Sequence, residues 1–178
     1  MFDYDTFTKD VVQQMTTVFQ HWIAKHDDLY IFALDCAREM DSIGVIANTK
    51  SYLTEQTQED AQAYWYYKYC EEEWALFDTF SAISERMQAY IQEQADIFVN
   101  PKTYTDTEAF EKHCAEIIKR CQTALMQFRK TITPNHADIL LTLQVRDDLD
   151  CDEKAEIFQA VNAETASQEY IAHIAEFI

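Results

Sequence analysis

Glycine is almost missing from this chain: Gly44 is the only one in 178 residues, and Pro101 and Pro134 are the only prolines. A loop that cradles phosphate needs several glycines to bring backbone amides close to the anion, so no such loop is encoded, nor is a nucleophile elbow. The shortage also predicts few and short connections. Long apolar runs are lacking as well, and none approaches the roughly 18 to 20 residues that a membrane-spanning helix requires. The opening Met1-Phe2-Asp3-Tyr4-Asp5 is acidic where a secretory signal is basic. The expectation is a cytoplasmic protein with no membrane partner. Cys36, Cys70, Cys114, Cys121 and Cys151 are odd in number and form no C-x-x-C pair, which argues against both a disulfide framework and a zinc knuckle. They are expected as core thiols, with Cys114 and Cys121 on one helical stripe. His21, His26, His113, His136 and His173 show no H-x-x-x-H spacing and are expected at surface or boundary positions.

Positive charge is scarce too: 14 Lys and Arg face 32 Asp and Glu, a net of −18. A surface this acidic repels nucleic acid and steers basic partners inward. The excess is also segregated. Residues 55–78 hold seven acids against Lys68 alone, and residues 146–178 hold nine against Arg146 and Lys154, whereas residues 102–130 carry six bases and four acids. A coat that served solubility alone would not require that separation.

With 48% hydrophobic and 13% aromatic residues, the chain has enough apolar surface for one compact domain over residues 1–178. Phe7, Val11, Met15, Val18, Phe19 and Trp22 recur at helical steps, which predicts a first helix from Asp5 or Thr6. Leu29–Cys36 and Ile43–Ala47 read as an antiparallel hairpin, with Gly44 marking a bulge or a close backbone approach. Lys50–Gln62 reads as a short helix capped by Thr49 or Ser51. Tyr64–Cys70 is dense in aromatic residues, which favour a pleated surface, and is expected as a third strand. A helix from Asp78 to about Val99 follows, ended by Asn100-Pro101. The next runs from a capping box Thr105-x-x-Glu108 to Arg129-Lys130, before Pro134. Ile139–Val145 alternates as a strand with Leu140, Thr142 and Gln144 on a wet face. Two short helices, Glu153–Val161 and Thr165–Ile178, close the chain. The expected fold is α+β: an antiparallel sheet of about four strands, covered on one side by several helices.

Asp148, Asp150 and Asp152 alternate as in a calcium loop. However, Glu153 stands where the sharp turn needs glycine, and Gln159 where a bidentate Glu is required. Neither a metal nor a cofactor is expected, and Asp150 or Asp152 reads instead as a helix cap. Nothing singles out a catalytic pair among the acids, so the chain is not expected to be an enzyme. The aromatic run at Tyr64–Tyr69 is interleaved only with Lys68 and leads into Glu71-Glu72-Glu73, the wrong charge for stacking nucleic acid. Tyr and Trp beside acids do suit protein contacts.

Tyr30-Ile-Phe-Ala-Leu-Asp35, Ile43-Gly-Val-Ile-Ala-Asn-Thr49, Tyr66-Tyr-Lys-Tyr69 with Glu73-Trp74, and Ile157-Phe-Gln-Ala-Val-Asn162 resemble the bacterial family known as domain of unknown function 4303. The resemblance runs from about Asp3 to Ile174. It supplies no catalytic residues. Members look like small acidic proteins encoded beside secreted toxins, so the resemblance implies an immunity role. An acidic inhibitor suits a nuclease-type toxin, whose active site is basic. The expected partner is a cognate basic toxin domain, bound through Glu71, Glu72, Glu73, Asp147, Asp148, Asp150 and Asp152, with Tyr64, Trp65 or Tyr66 as anchors. The protein itself is expected as a monomer or weak dimer. The alternatives are an adaptor or structural protein and a small hydrolase-like enzyme.

Overall fold

A computed structural model describes residues 1–58, 60–103, 105–145 and 149–174. Helix α1 (Tyr4–Ile23) starts one residue earlier than its apolar period indicated. The Asp3 carboxylate accepts from the Thr6 amide at 3.0 Å and caps the first turn. Its buried stripe consists of the expected Phe7, Val11, Met15, Val18, Phe19 and Trp22, together with Thr8.

Strands β1 (Leu29–Cys36) and β2 (Ile43–Thr49) form the expected antiparallel hairpin, with Leu34 opposite Val45. Helix α2 (Lys50–Thr57) leaves β2 directly under a Thr49 cap, and is shorter than the expected Lys50–Gln62. The aromatic run is a helix, α3 (Tyr64–Tyr69), and not a strand. Packing decides against the local preference: helical spacing buries Tyr69 and sets Trp65 parallel to it, at 6.2 Å between ring centroids. A strand would have held Trp65 and Tyr69 about 13 Å apart along its axis, too far for their rings to pack.

A 3-10 turn at Glu71–Glu73 leads into strand β3 (Leu76–Thr79), where no strand was expected. It pairs antiparallel with β2. A Cβ on Gly44 would lie 2.3 Å from the Asp78 carbonyl oxygen, so the glycine serves a close backbone approach. The single helix expected from Asp78 to Val99 is instead α4 (Ser81–Glu93) followed by one turn, α5 (Ala95–Phe98). The Ser84 hydroxyl meets both backbone groups of Ile43 and ties α4 to the start of β2.

Helix α6 (Glu108–His136) is capped by Thr107 rather than Thr105, and continues through Pro134 into its last turn. At 29 residues it is about 43 Å long. Strand β4 (Leu140–Val145), helix α7 (Cys151–Val161) and helix α8 (Glu164–His173) complete the chain. Asp150 caps α7 in a full capping box with Glu153, whereas α8 begins without a side-chain cap.

The strand order is β3-β2-β1-β4, and β4 runs parallel to β1, with Ile31 opposite Leu140 and Cys36 opposite Val145. The sheet is therefore mixed, in an α+β domain, where an antiparallel one was expected. A period of two is the same in either direction, and only the crossover through α4, α5 and α6 sets how β4 enters. Helices also cover both faces rather than one. Phe32, Leu34, Val45, Leu141 and Leu143 pack with residues of α1, α4 and α6, while Ile31, Ala33, Ile46 and Leu140 pack with residues of α2, α3, α7 and α8. Thr142 and Gln144, expected in water, are consequently buried.

The guanidinium of Arg129 on α6 joins three elements. It donates to the carbonyls of Val161 and Ile139 at 2.6 and 2.7 Å and to the Asn162 side chain at 2.9 Å. Burial lowers its pKa to about 10. Asn162 then pairs with edge strand β4 as a neighbouring strand would, accepting from the Leu141 amide at 2.8 Å and donating to its carbonyl at 2.6 Å.

Candidate functional site

The second face of the sheet gathers the chain's unusual polar chemistry. The described parts of segments 55–78 and 146–178, the two acidic stretches of the sequence, meet there. Tyr69, Cys70 and Trp74 share a core cluster with Phe158 and Tyr170. Lys68 reaches across to Glu169 at 2.6 Å, and Tyr69 donates to the same carboxylate. Lys154 pairs with Glu71 at 3.8 Å, both side chains being buried. Two of the layer's lysines are thus held by acids of the same layer. Glu72, Asp150, Asp152, Glu153, Glu156 and Glu164 remain exposed around them.

The residues expected to make contact fall into distinct roles. Glu72 and Asp152 are exposed, and Asp150 is exposed while its carboxylate accepts from the amides of Asp152 and Glu153. Glu73 is half-buried and accepts from the Tyr66 hydroxyl at 2.9 Å, a bond that raises the phenol's pKa. Trp65 stacks on His173 at 3.9 Å with Lys68 over its ring, so it belongs to the layer's packing, and Tyr64 is the exposed member of the three aromatics. Asp147 and Asp148 lie outside the described residues.

Glu71 departs most from its expected role, being only 5% exposed. Burial raises its pKa to about 6, against the opposing pull of Lys154. One carboxylate oxygen, Oε2, faces Lys154, while Oε1 has no hydrogen-bond partner among the described residues. Glu71 lines a cavity of about 320 Å³ together with Asp35, Ile46, Glu72, Trp74, Phe77 and Gln144. All four strands supply a residue to it, and Asp35 and Gln144 stand opposite each other where parallel β1 and β4 near their ends. The Gln144 carbonyl and the Trp74 indole N–H, both buried, likewise have no partner among the described residues. Tyr170 and Thr142 are buried on the same face of the sheet. Three polar groups left open around one cavity are unusual, because buried groups of this kind are nearly always bonded to protein or water.

Of these groups, sequence reasoning named Glu71 and Glu72 as contacts and missed Asp35, Trp74, Gln144 and Lys154. The signal lay in β4: polar Thr142 and Gln144 between strongly apolar neighbours, beside an acid at the end of an otherwise apolar β1.

The chemistry elsewhere is plainer. Cys36, Cys70 and Cys121 are buried free thiols, and Cys114 and Cys151 are half-buried. His113 is buried, against the boundary position expected for it, within hydrogen-bonding distance of the Tyr4 hydroxyl at 2.8 Å and stacked on Phe98. Burial lowers its pKa, which suits a neutral core imidazole. Among the described residues no group of three His, Cys, Asp or Glu is placed to hold a metal ion, and no helix is long and apolar enough to cross a membrane.

A family model described as Domain of unknown function (DUF4303) matches residues 7–163. Neither a curated protein nor a solved structure matches the chain.

Proposed function

We propose that this chain, which belongs to the DUF4303 family, is an immunity-type protein that neutralises a basic toxin domain, a nuclease above all, by binding it through the acidic layer. The observation that carries this reading is the meeting of the two acidic segments on one face of the sheet, with Lys68 and Lys154 consumed inside the layer. The opposite face contrasts with it: α6 spans most of the one stretch in which bases outnumber acids. A surface polarised in this way accelerates encounter with a basic partner and orients it.

Coexpression with the product of the neighbouring gene, then copurification at low and at high salt, tests the proposal. The expected result is a one-to-one complex, weakened by salt and by the double reversal Glu72→Lys with Asp152→Lys. If no partner is retained and growth does not depend on this chain, the reading fails. The cavity beside Glu71 supports a second reading, a small hydrolase-like enzyme, since convergent carboxylates and a raised pKa also mark acid–base sites. Stoichiometry separates the two. An inhibitor protects only when it matches the toxin molecule for molecule, whereas an enzyme protects at a small fraction of that amount.

A further inference from the structure

We infer that the cavity at the ends of β1 and β4 is a socket for an arginine side chain presented by the basic partner. This rests on the reading of the chain as an inhibitor of a basic protein, and adds which chemical group that partner inserts and where.

The lining selects for a cation with several donors. Asp35, Glu71 and Glu72 bring carboxylates, and Gln144 brings a carbonyl. Two acceptors, Glu71 Oε1 and Gln144 Oε1, are unpartnered among the described residues, on side chains 5% and 9% exposed. These are not members of a solvated acidic patch. They are buried acceptors that water or an incoming donor must satisfy. Lys154 occupies the other oxygen of Glu71, so one internal cation already holds the carboxylate on its far side. An anionic occupant would meet three carboxylates, and an apolar one would leave the acceptors open. A guanidinium carries five donors in a planar fork, more than an ammonium can offer. Trp74 and Phe77 add aromatic surface of the kind guanidinium groups stack upon. Phe77 is 79% exposed on β3, a large apolar side chain left in water beside the cavity. A volume of about 320 Å³ equals the share of roughly ten liquid waters, ample for a side chain that displaces some of them.

The test uses the whole chain, isotopically labelled, titrated with N-acetylarginine amide and, in parallel, with N-acetylglutamine amide. The Trp74 indole N–H resonance, identified by its loss in Trp74→Phe, is the reporter. The arginine probe is expected to move it saturably at millimolar concentration and the neutral probe to leave it in place. Gln144→Leu and Asp35→Asn should each weaken the response by roughly tenfold, the effect of losing one hydrogen bond to a charged group. Their thermal unfolding would be checked alongside. The inference is overturned if the arginine probe gives no saturable shift, if the neutral probe shifts the resonance equally, or if both variants respond like the parent. Micromolar binding of free arginine would also overturn it, because the cavity would then serve a small molecule. Probe binding without capture of any basic protein refutes the inhibitor reading, and the socket's assignment to a partner with it. Capture of a toxin that is insensitive to Gln144→Leu and Asp35→Asn refutes the socket alone.

Discussion

On the α1, α4 and α6 face of the sheet, the strand side chains from Phe32 to Val145 are apolar and close on Phe19, Met87, Leu125 and Phe128. On the α3, α7 and α8 face, Asp35, Asn48, Thr142 and Gln144 interrupt Ile31, Ala33 and Ile46, and a lysine–glutamate pair is buried above them. The first face is packed for stability. Phe19 and Phe32 each meet Phe128, at 5.4 Å between ring centroids, and Phe19 meets Phe32 edge-to-face. The second retains groups that cost stability when buried, which is what a surface organised for recognition tolerates. Both faces are shielded from water, so the contrast lies in what each buries.

The largest effect is expected from Phe128→Ala. Loss of a fully buried ring at the junction of α1, α6 and β1 should cost about 3–5 kcal/mol in urea unfolding. Removal of exposed Phe77 on the other face should change stability by no more than about 0.5 kcal/mol. Equal losses would erase the contrast.

Lys154→Met sharpens it through pH. The folded pKa of Glu71 is raised from 4.5 to about 6, so its contribution to stability is fully present below about 4.5 and is lost as pH rises through about 6. The shift corresponds to roughly 2 kcal/mol. Without Lys154 the charged form of Glu71 loses its nearby cation. The variant should therefore be destabilised by about 3 kcal/mol near pH 8, and by little near pH 5, where Glu71 is mostly protonated in parent and variant alike. A penalty independent of pH would show that the pair is not the source.

A smaller loss than that of Phe128→Ala is expected from Gly44→Ala, about 1–3 kcal/mol, because the new methyl meets the Asp78 carbonyl and must push β3 from β2. A melting temperature equal to that of the parent would mean that β3 yields freely. The cavity beside Phe77 would then be less well defined than its lining indicates.

Much of the first face was legible in the chain. The period of α1, the stripe Ile117, Cys121, Leu125 and Phe128 on α6, and the hairpin around Gly44 follow from spacing, since one partner surface is enough to bury a regular stripe. The second face was harder to read. The aromatic density at Tyr64–Tyr69 reads as strand until Tyr69 and Trp65 are seen to pack at helical spacing. Strand β3 has four residues, of which only Leu76 packs against the core, too short to show a period. Thr142 and Gln144 read as wet because nothing in their own strand announces α7 and α8 above them. The candidate site was legible only as charge. The segregation of acids could be counted, whereas the burial of Glu71 and its place beside Asp35 and Gln144 could not.

The sequence by itself determined the family, the amphipathic elements of one face and the two acidic segments, and it narrowed two helix caps to Thr49 or Ser51 and Asp150 or Asp152, all of which depend on neighbours a few residues apart. The tertiary structure alone decided the parallel entry of β4, the helices on both faces, the convergence of the acidic segments and the cavity. Each of those depends on groups far apart in the chain, whose meeting is set by crossovers and by the burial of whole faces, and no local period records it.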